Sequence, residues 1–102
     1  MDKSTNRLVR VLKKFKKDNN IDKIIFFGSR SKNGHDKFSD VDLIIVSSQF
    51  KNLKSYKRAP SLRPKWNLKY AVDMLCYTPD EFEARKKEPT IVREAIREGI
   101  EI

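Results

Sequence analysis

Short apolar runs alternate with amphipathic stretches along this chain, and the two differ in period. Between Ser4 and about Asn19, Leu8, Val11, Leu12 and Phe15 recur at helical spacing while Arg10, Lys13, Lys14, Lys16 and Lys17 fill the other faces. This predicts an amphipathic helix covering a sheet, ended by Asp18-Asn19-Asn20. Residues 23–27 and 40–46 read as strands. In the second, Val41, Leu43 and Ile45 face one way and Asp40, Asp42, Ile44 and Val46 the other, so both faces are covered beyond an acidic start. From Ser47 to Asn67 the pattern weakens: Phe50 and Leu53, with Tyr56 or Lys57, predict a short helix, and Ala59-Pro60-Ser61-Leu62-Arg63-Pro64-Lys65, with its two prolines, a loop. A third strand is predicted over Asn67 to Tyr77. Thr78-Pro79-Asp80-Glu81 has the order of a helix start, with Thr78 as N-cap, Pro79 at the first helical position and Glu81 three residues after the cap. That helix runs to about Lys87. Another begins at Pro89-Thr90, with Ile91, Val92, Ala95 and Ile96 as its buried stripe and Gly99 closing it, before Ile100-Glu101-Ile102 alternates like a short terminal strand.

The polar residues between the first two strands carry the chemistry. Strand period puts Asp40 and Asp42 on one face, roughly 7 Å apart. Two such carboxylates repel unless a cation sits between them. Hard oxygen ligands suit Mg2+, which takes one or two carboxylates and leaves its other positions to water and substrate phosphates. Upstream, Gly28 follows the first strand directly and permits close approach of a phosphate, while Ser29 can open a short helix whose free backbone N–H groups and hydroxyl meet an anion.

The order Gly28-Ser29, ten residues (Arg30 to Ser39), then Asp40-Val41-Asp42 resembles the signature of the DNA polymerase beta-like nucleotidyltransferase superfamily, and the small size resembles its minimal nucleotidyltransferase (MNT) members. The resemblance implies an α/β (α+β) nucleotidyltransferase fold, a small mixed sheet of three to four strands with helices packed on it, over a single domain at residues 1–102. It implies that Gly28 and Ser29, with Arg30 and Lys32, hold nucleotide phosphates, that Asp40 and Asp42 bind two Mg2+ ions, and that a third acid on a later strand completes the site. Asp73, among Ala71, Val72, Met74 and Leu75, is that candidate. A lone carboxylate in such a strand is costly unless paired or metal-bound. Where many members carry Ala-Arg-Gly, this chain has Ser31-Lys32-Asn33, with Gly34 one place later. Asn33 tolerates the left-handed conformation, and Lys32 keeps the charge without arginine's planar fork.

Composition adds a field but no selectivity. Lys and Arg number 23 against 14 Asp and Glu, a formal net charge of +9, which attracts nucleotides, RNA or an acidic protein without choosing among them. Lys57, Arg58, Arg63 and Lys65 beside Trp66 could contact RNA or belong to a plain connector with Trp66 anchored in the core; the connector is the expectation. His35, in the polar stretch, is expected to be a solvated residue. One cysteine excludes an intrachain disulfide, and Cys76 reads as a small buried hydrophobe. With no signal-like region and no apolar run long enough to span a bilayer, no membrane contact is expected and the cytoplasm is the expected compartment.

The implied reaction moves AMP from ATP, with Mg2+, to a hydroxyl. For MNT domains the resemblance implies a HEPN-type RNase toxin as partner, neutralised through a tyrosine, and a homo- or hetero-oligomer that completes the pocket. The alternatives are a non-catalytic antitoxin or an RNA- or protein-binding module on the same fold, and a nucleotidyltransferase acting on RNA or a small molecule. Three gathered acids against a basic background favour the enzyme.

Overall fold

Leu8, Leu12 and Phe15 lie buried along one side of the first helix, α1 (Lys3–Asp18), in the computed structural model, which describes residues 3–28, 31 and 40–102. Lys13, Lys14 and Lys17 stay exposed on its other faces. The chain leaves α1 through Asn20, whose φ of 53° is left-handed, a conformation that asparagine tolerates better than most residues. Ile21 then drops back into the core.

Strands β1 (Lys23–Phe27), β2 (Val41–Val46), β3 (Val72–Tyr77) and β4 (Ile100–Glu101) form one mixed sheet in the order β3-β2-β1-β4. β1 is antiparallel to both β2 and β4, whereas β2 and β3 are parallel. The alternation expected of the second strand sorts its side chains between two cores. Val41, Leu43 and Ile45 join α1, Ile24, Phe26, Phe50 and Leu62 on one face. Ile44 and Val46 join Ile25, Phe82, Val92 and Ala95 on the other. Burying each such side chain stabilises the fold by about 1.5–3 kcal/mol. Asp40 lies just ahead of β2, and β3 begins at Val72, five residues later than the apolar pattern predicted.

The expected helix near Phe50 is a 3-10 turn, Ser48–Asn52, capped by the Ser47 hydroxyl. The proline-containing stretch departs from expectation: residues 59–62 belong to a helix, α2 (Ser55–Leu62), with Pro60 inside it, and Arg63–Lys65 continues as a 3-10 turn. Pro60 removes one N–H bond, but Pro60 and Tyr56 are both exposed, so water can satisfy the freed carbonyl. What holds α2 is Arg58, only 6% exposed, which donates to Leu53 O (3.0 Å), Cys76 O (3.3 Å) and both carboxylate oxygens of Glu81 (2.5 and 3.3 Å). Arg58 is therefore an internal clamp, not part of a basic surface. Trp66 is anchored as expected, edge-on to Phe15 at 5.4 Å with its Nε1 donating to Tyr70 O.

α3 (Pro79–Lys86) starts with the anticipated reciprocal cap: Thr78 Oγ1 accepts from Glu81 N–H, and the Glu81 carboxylate from Thr78 N–H. In α4 (Ile91–Glu98) the buried stripe is narrower than its sequence suggests. Val92 and Ala95 are buried, but Ile91 is 54% and Ile96 41% exposed, because this two-turn helix touches the sheet along a single line. Gly99 ends α4 with extended backbone, and its bare Cα is required by space: a Cβ would lie 2.6 Å from Ala95 O and 2.8 Å from Phe26 O. That close approach lets Ile100 pair with Phe26.

Candidate active site

Sheet register brings the sequence-distant acids together. Asp42 pairs with Phe27 across the antiparallel β1–β2 ladder and with Asp73 across the parallel β2–β3 ladder. Side-chain alternation then puts Asp42 and Asp73 on the face shared with Ile44, Leu75 and helices α3 and α4. The start of the parallel ladder is fixed by Val41 N–H donating to Ala71 O at 2.9 Å. Asp40 and Asp73 are exposed and Asp42 is half-buried, so the acids form a rim at one end of the sheet.

Their electrostatics couple them. The Asp42 carboxyl is pushed above its ordinary value, first by burial, then by the charge of Asp73, then by that of Asp40. Among the described residues no Lys or Arg forms an ion pair with any of the three. Nor is any group of three or more Asp, Glu, His or Cys among them arranged to hold a metal ion as it stands. The donors nonetheless suit a hard cation: carboxylate oxygens that repel one another are relieved by one, and Mg2+ needs only one or two of them.

Gly28 is the second component. It has a φ of +80°, in the left-handed region that side chains disfavour. A Cβ there would overlap Asp42 Oδ2 and sit 3.1 Å from Asp42 Cγ. The glycine thus gives the Asp42 carboxylate its room. Ser31 fixes this turn: it is buried, and both its N–H (3.2 Å) and its hydroxyl (2.7 Å) donate to Gly28 O. In the sequence Ser31 stands out only as the residue where many family members carry Ala. Its signal is a hydroxyl three residues after a glycine, the spacing of a side chain that bonds back onto a turn. Ser29, Arg30, Lys32, Asn33 and His35 lie outside the described residues.

Cys76 packs against the larger core but is half-buried, not fully buried as expected; desolvation pushes its thiol up to about 11 despite the opposing influence of Arg58 and Arg63. Among the described residues no helix is long and apolar enough to cross a membrane.

A small mixed sheet thus presents acids from adjacent parallel strands beside a glycine turn. The chain belongs to the nucleotidyltransferase domain family, whose model matches residues 8–101. It is also 30% identical over 71 residues, 64% of this chain and 72% of the relative, to the Methanocaldococcus jannaschii protein named "Putative protein adenylyltransferase". No solved structure matches the chain.

Proposed function

We propose that this chain, acting as a single minimal domain, transfers AMP from ATP to a hydroxyl of a partner protein. The observation that carries the reading is the in-register pairing of Asp42 with Asp73 beside Gly28, which gathers acids from strands 31 residues apart (42 and 73) where a phosphate could approach. The polypeptide acceptor is supported by the printed name of the Methanocaldococcus jannaschii relative. The finer assignment, a tyrosine on a HEPN-type RNase toxin with this chain as antitoxin, rests on the MNT resemblance of the motif.

In this reading Gly28 N–H and Ser29, with Arg30 and Lys32, receive the outer phosphate oxygens, and Asp40, Asp42 and Asp73 would hold Mg2+. Two such ions would neutralise the triphosphate and the acceptor oxygen. Asp73 takes the proton of the acceptor hydroxyl. The acceptor oxygen bonds to the α-phosphorus as the bond from that phosphorus to the bridging oxygen breaks, and pyrophosphate leaves.

The test is the intact mass of the protein encoded beside this one, co-expressed with wild-type chain or with Asp42→Asn. A gain of one or more AMP units with wild type alone is expected, and peptide mapping then identifies the hydroxyl. Co-purification of the two proteins without any mass gain would replace the enzyme with a binding antitoxin.

A further inference from the structure

Away from the acid-bearing face, two open cavities of about 440 and 310 Å3 run into one another along α1, sharing Val11 and Leu68 in their walls. Together they make a groove between α1 and residues 65–70. It has an apolar floor, Val11, Phe15 and Leu68, and a basic rim, Arg7, Lys65 and Lys69. All three rim cations are exposed, and among the described residues none forms an ion pair. The acid lining it, Asp18, is already matched by Lys14 at 2.8 Å. The groove also has a direction: one end reaches Tyr70, immediately before Ala71, whose carbonyl receives the Val41 N–H at the acid end of β2.

We infer that this groove docks an acidic, amphipathic polypeptide helix of the acceptor protein, seating its apolar side on the floor and its carboxylates against the rim. This deepens the protein-modifying reading of the site and rests on it for taking a polypeptide as acceptor. An apolar floor between basic walls is the complement of a helix with an apolar stripe flanked by Asp and Glu. A nucleic acid strand fits less well. It needs a run of aromatic faces to stack its bases, whereas Phe15 is buried on the floor, Trp66 is turned edge-on into it with its indole N–H committed to Tyr70 O, and Tyr70 is half-buried at one end. The formal +9 of the whole chain steers such a partner in, and the groove supplies the position.

Trp66 is the single tryptophan of the chain and rests on Phe15 at the groove floor, so its emission reports occupancy. The probe is a synthetic acetylated peptide with Leu on one helical face and Glu on the others, titrated at low salt. A saturable change in Trp66 emission is expected, weakened at least tenfold by the double substitution Arg7→Glu, Lys69→Glu and unaffected by Lys51→Glu. Arg7→Gln with Lys69→Gln serves as the milder pair, with circular dichroism reporting the fold of each. Equal binding of polyglutamate, or displacement of the peptide by a single-stranded RNA oligonucleotide, would overturn the inference, as would no change in emission. Asp42→Asn separates the two readings: it should bind the peptide as wild type does while losing transfer. Failed transfer with intact binding leaves the groove standing. Modification of the partner undiminished by the rim reversals removes the groove and spares the enzyme.

Discussion

Replacing Gly28 by alanine places a methyl group where the Asp42 carboxylate lies, at a backbone angle of φ +80°. Two costs add. A left-handed alanine costs about 1–2 kcal/mol, and turning the Asp42 side chain off its preferred rotamer about 0.5–1.5 kcal/mol more. The sum, about 1.5–3.5 kcal/mol, corresponds to a fall in Tm of roughly 6–28 °C for a domain of this size. Misplacing one carboxylate should also lower nucleotidyl transfer by ~100-fold or more, since errors of an ångström have that effect on positioned groups. Gly28→Asn divides the two costs, because asparagine tolerates the left-handed angle yet still carries a Cβ. It should recover about 1 kcal/mol of stability in urea melts without recovering transfer. The reasoning is refuted if Gly28→Ala transfers nucleotide within twofold of wild type, or if Gly28→Asn restores stability and activity together.

Asp42→Asn should cost more than ~100-fold in transfer, since even groups that only orient metal ligands are worth 10–100-fold. It should nevertheless raise Tm at neutral pH. The folded-state carboxyl titrates above its ordinary 3.8, so the charged form is what the fold disfavours, and the gain should vanish as pH falls below that ordinary range; thermal melts against pH decide. Glu81→Gln has the opposite sign. The Arg58 hydrogen bond holds the Glu81 carboxyl below its ordinary 4.5, so the wild-type advantage is present above that value and is lost as pH falls through the depressed folded one. With the Glu81 side chain 41% exposed the advantage should be about 1 kcal/mol, read as the difference between wild-type and variant urea midpoints at neutral and acid pH. Cys76, its thiol raised to about 11, should react with a disulfide reagent at least ~100-fold more slowly in the folded chain than in denaturant. Equal rates would show that the thiol is not shielded.

Local signals in the sequence carried furthest where one residue type has one mechanical use. Thr78 and Glu81 announce a reciprocal cap because few other arrangements need a hydroxyl and a carboxylate at that spacing, and the cap forms. The alternation in residues 40–46 gives the two faces of β2 because period 2 leaves no other assignment. Legibility fails where the deciding partner is remote. Nothing near Arg58 says that it will reach Cys76 O and Glu81 and so keep Ala59 and Pro60 helical. Ile91 and Ile96 are apolar at helical spacing, but which turn of α4 meets the sheet depends on β1 and α3, so half of the expected stripe stays in water. In the site, Asp40 and Asp42 stand out by spacing and Asp73 by its apolar neighbours. The register that sets Asp73 opposite Asp42 is a property of the ladder and appears only with the sheet.

Among the described residues that ladder is the one parallel pairing in the sheet, and the acid rim depends on it. The β1–β2 ladder is antiparallel, so the chain can form Gly28 and Asp42 as neighbours from nearby residues. To run beside β2 in the same direction, β3 must wait until residues 47–71 have carried the chain back along the whole sheet, a closure that local contacts cannot begin. A nascent or partly opened molecule therefore possesses the turn and one carboxylate strand but lacks Asp73 at its side. Completion of the acid rim waits on closure of that crossover, and loosening of the crossover should silence the chain.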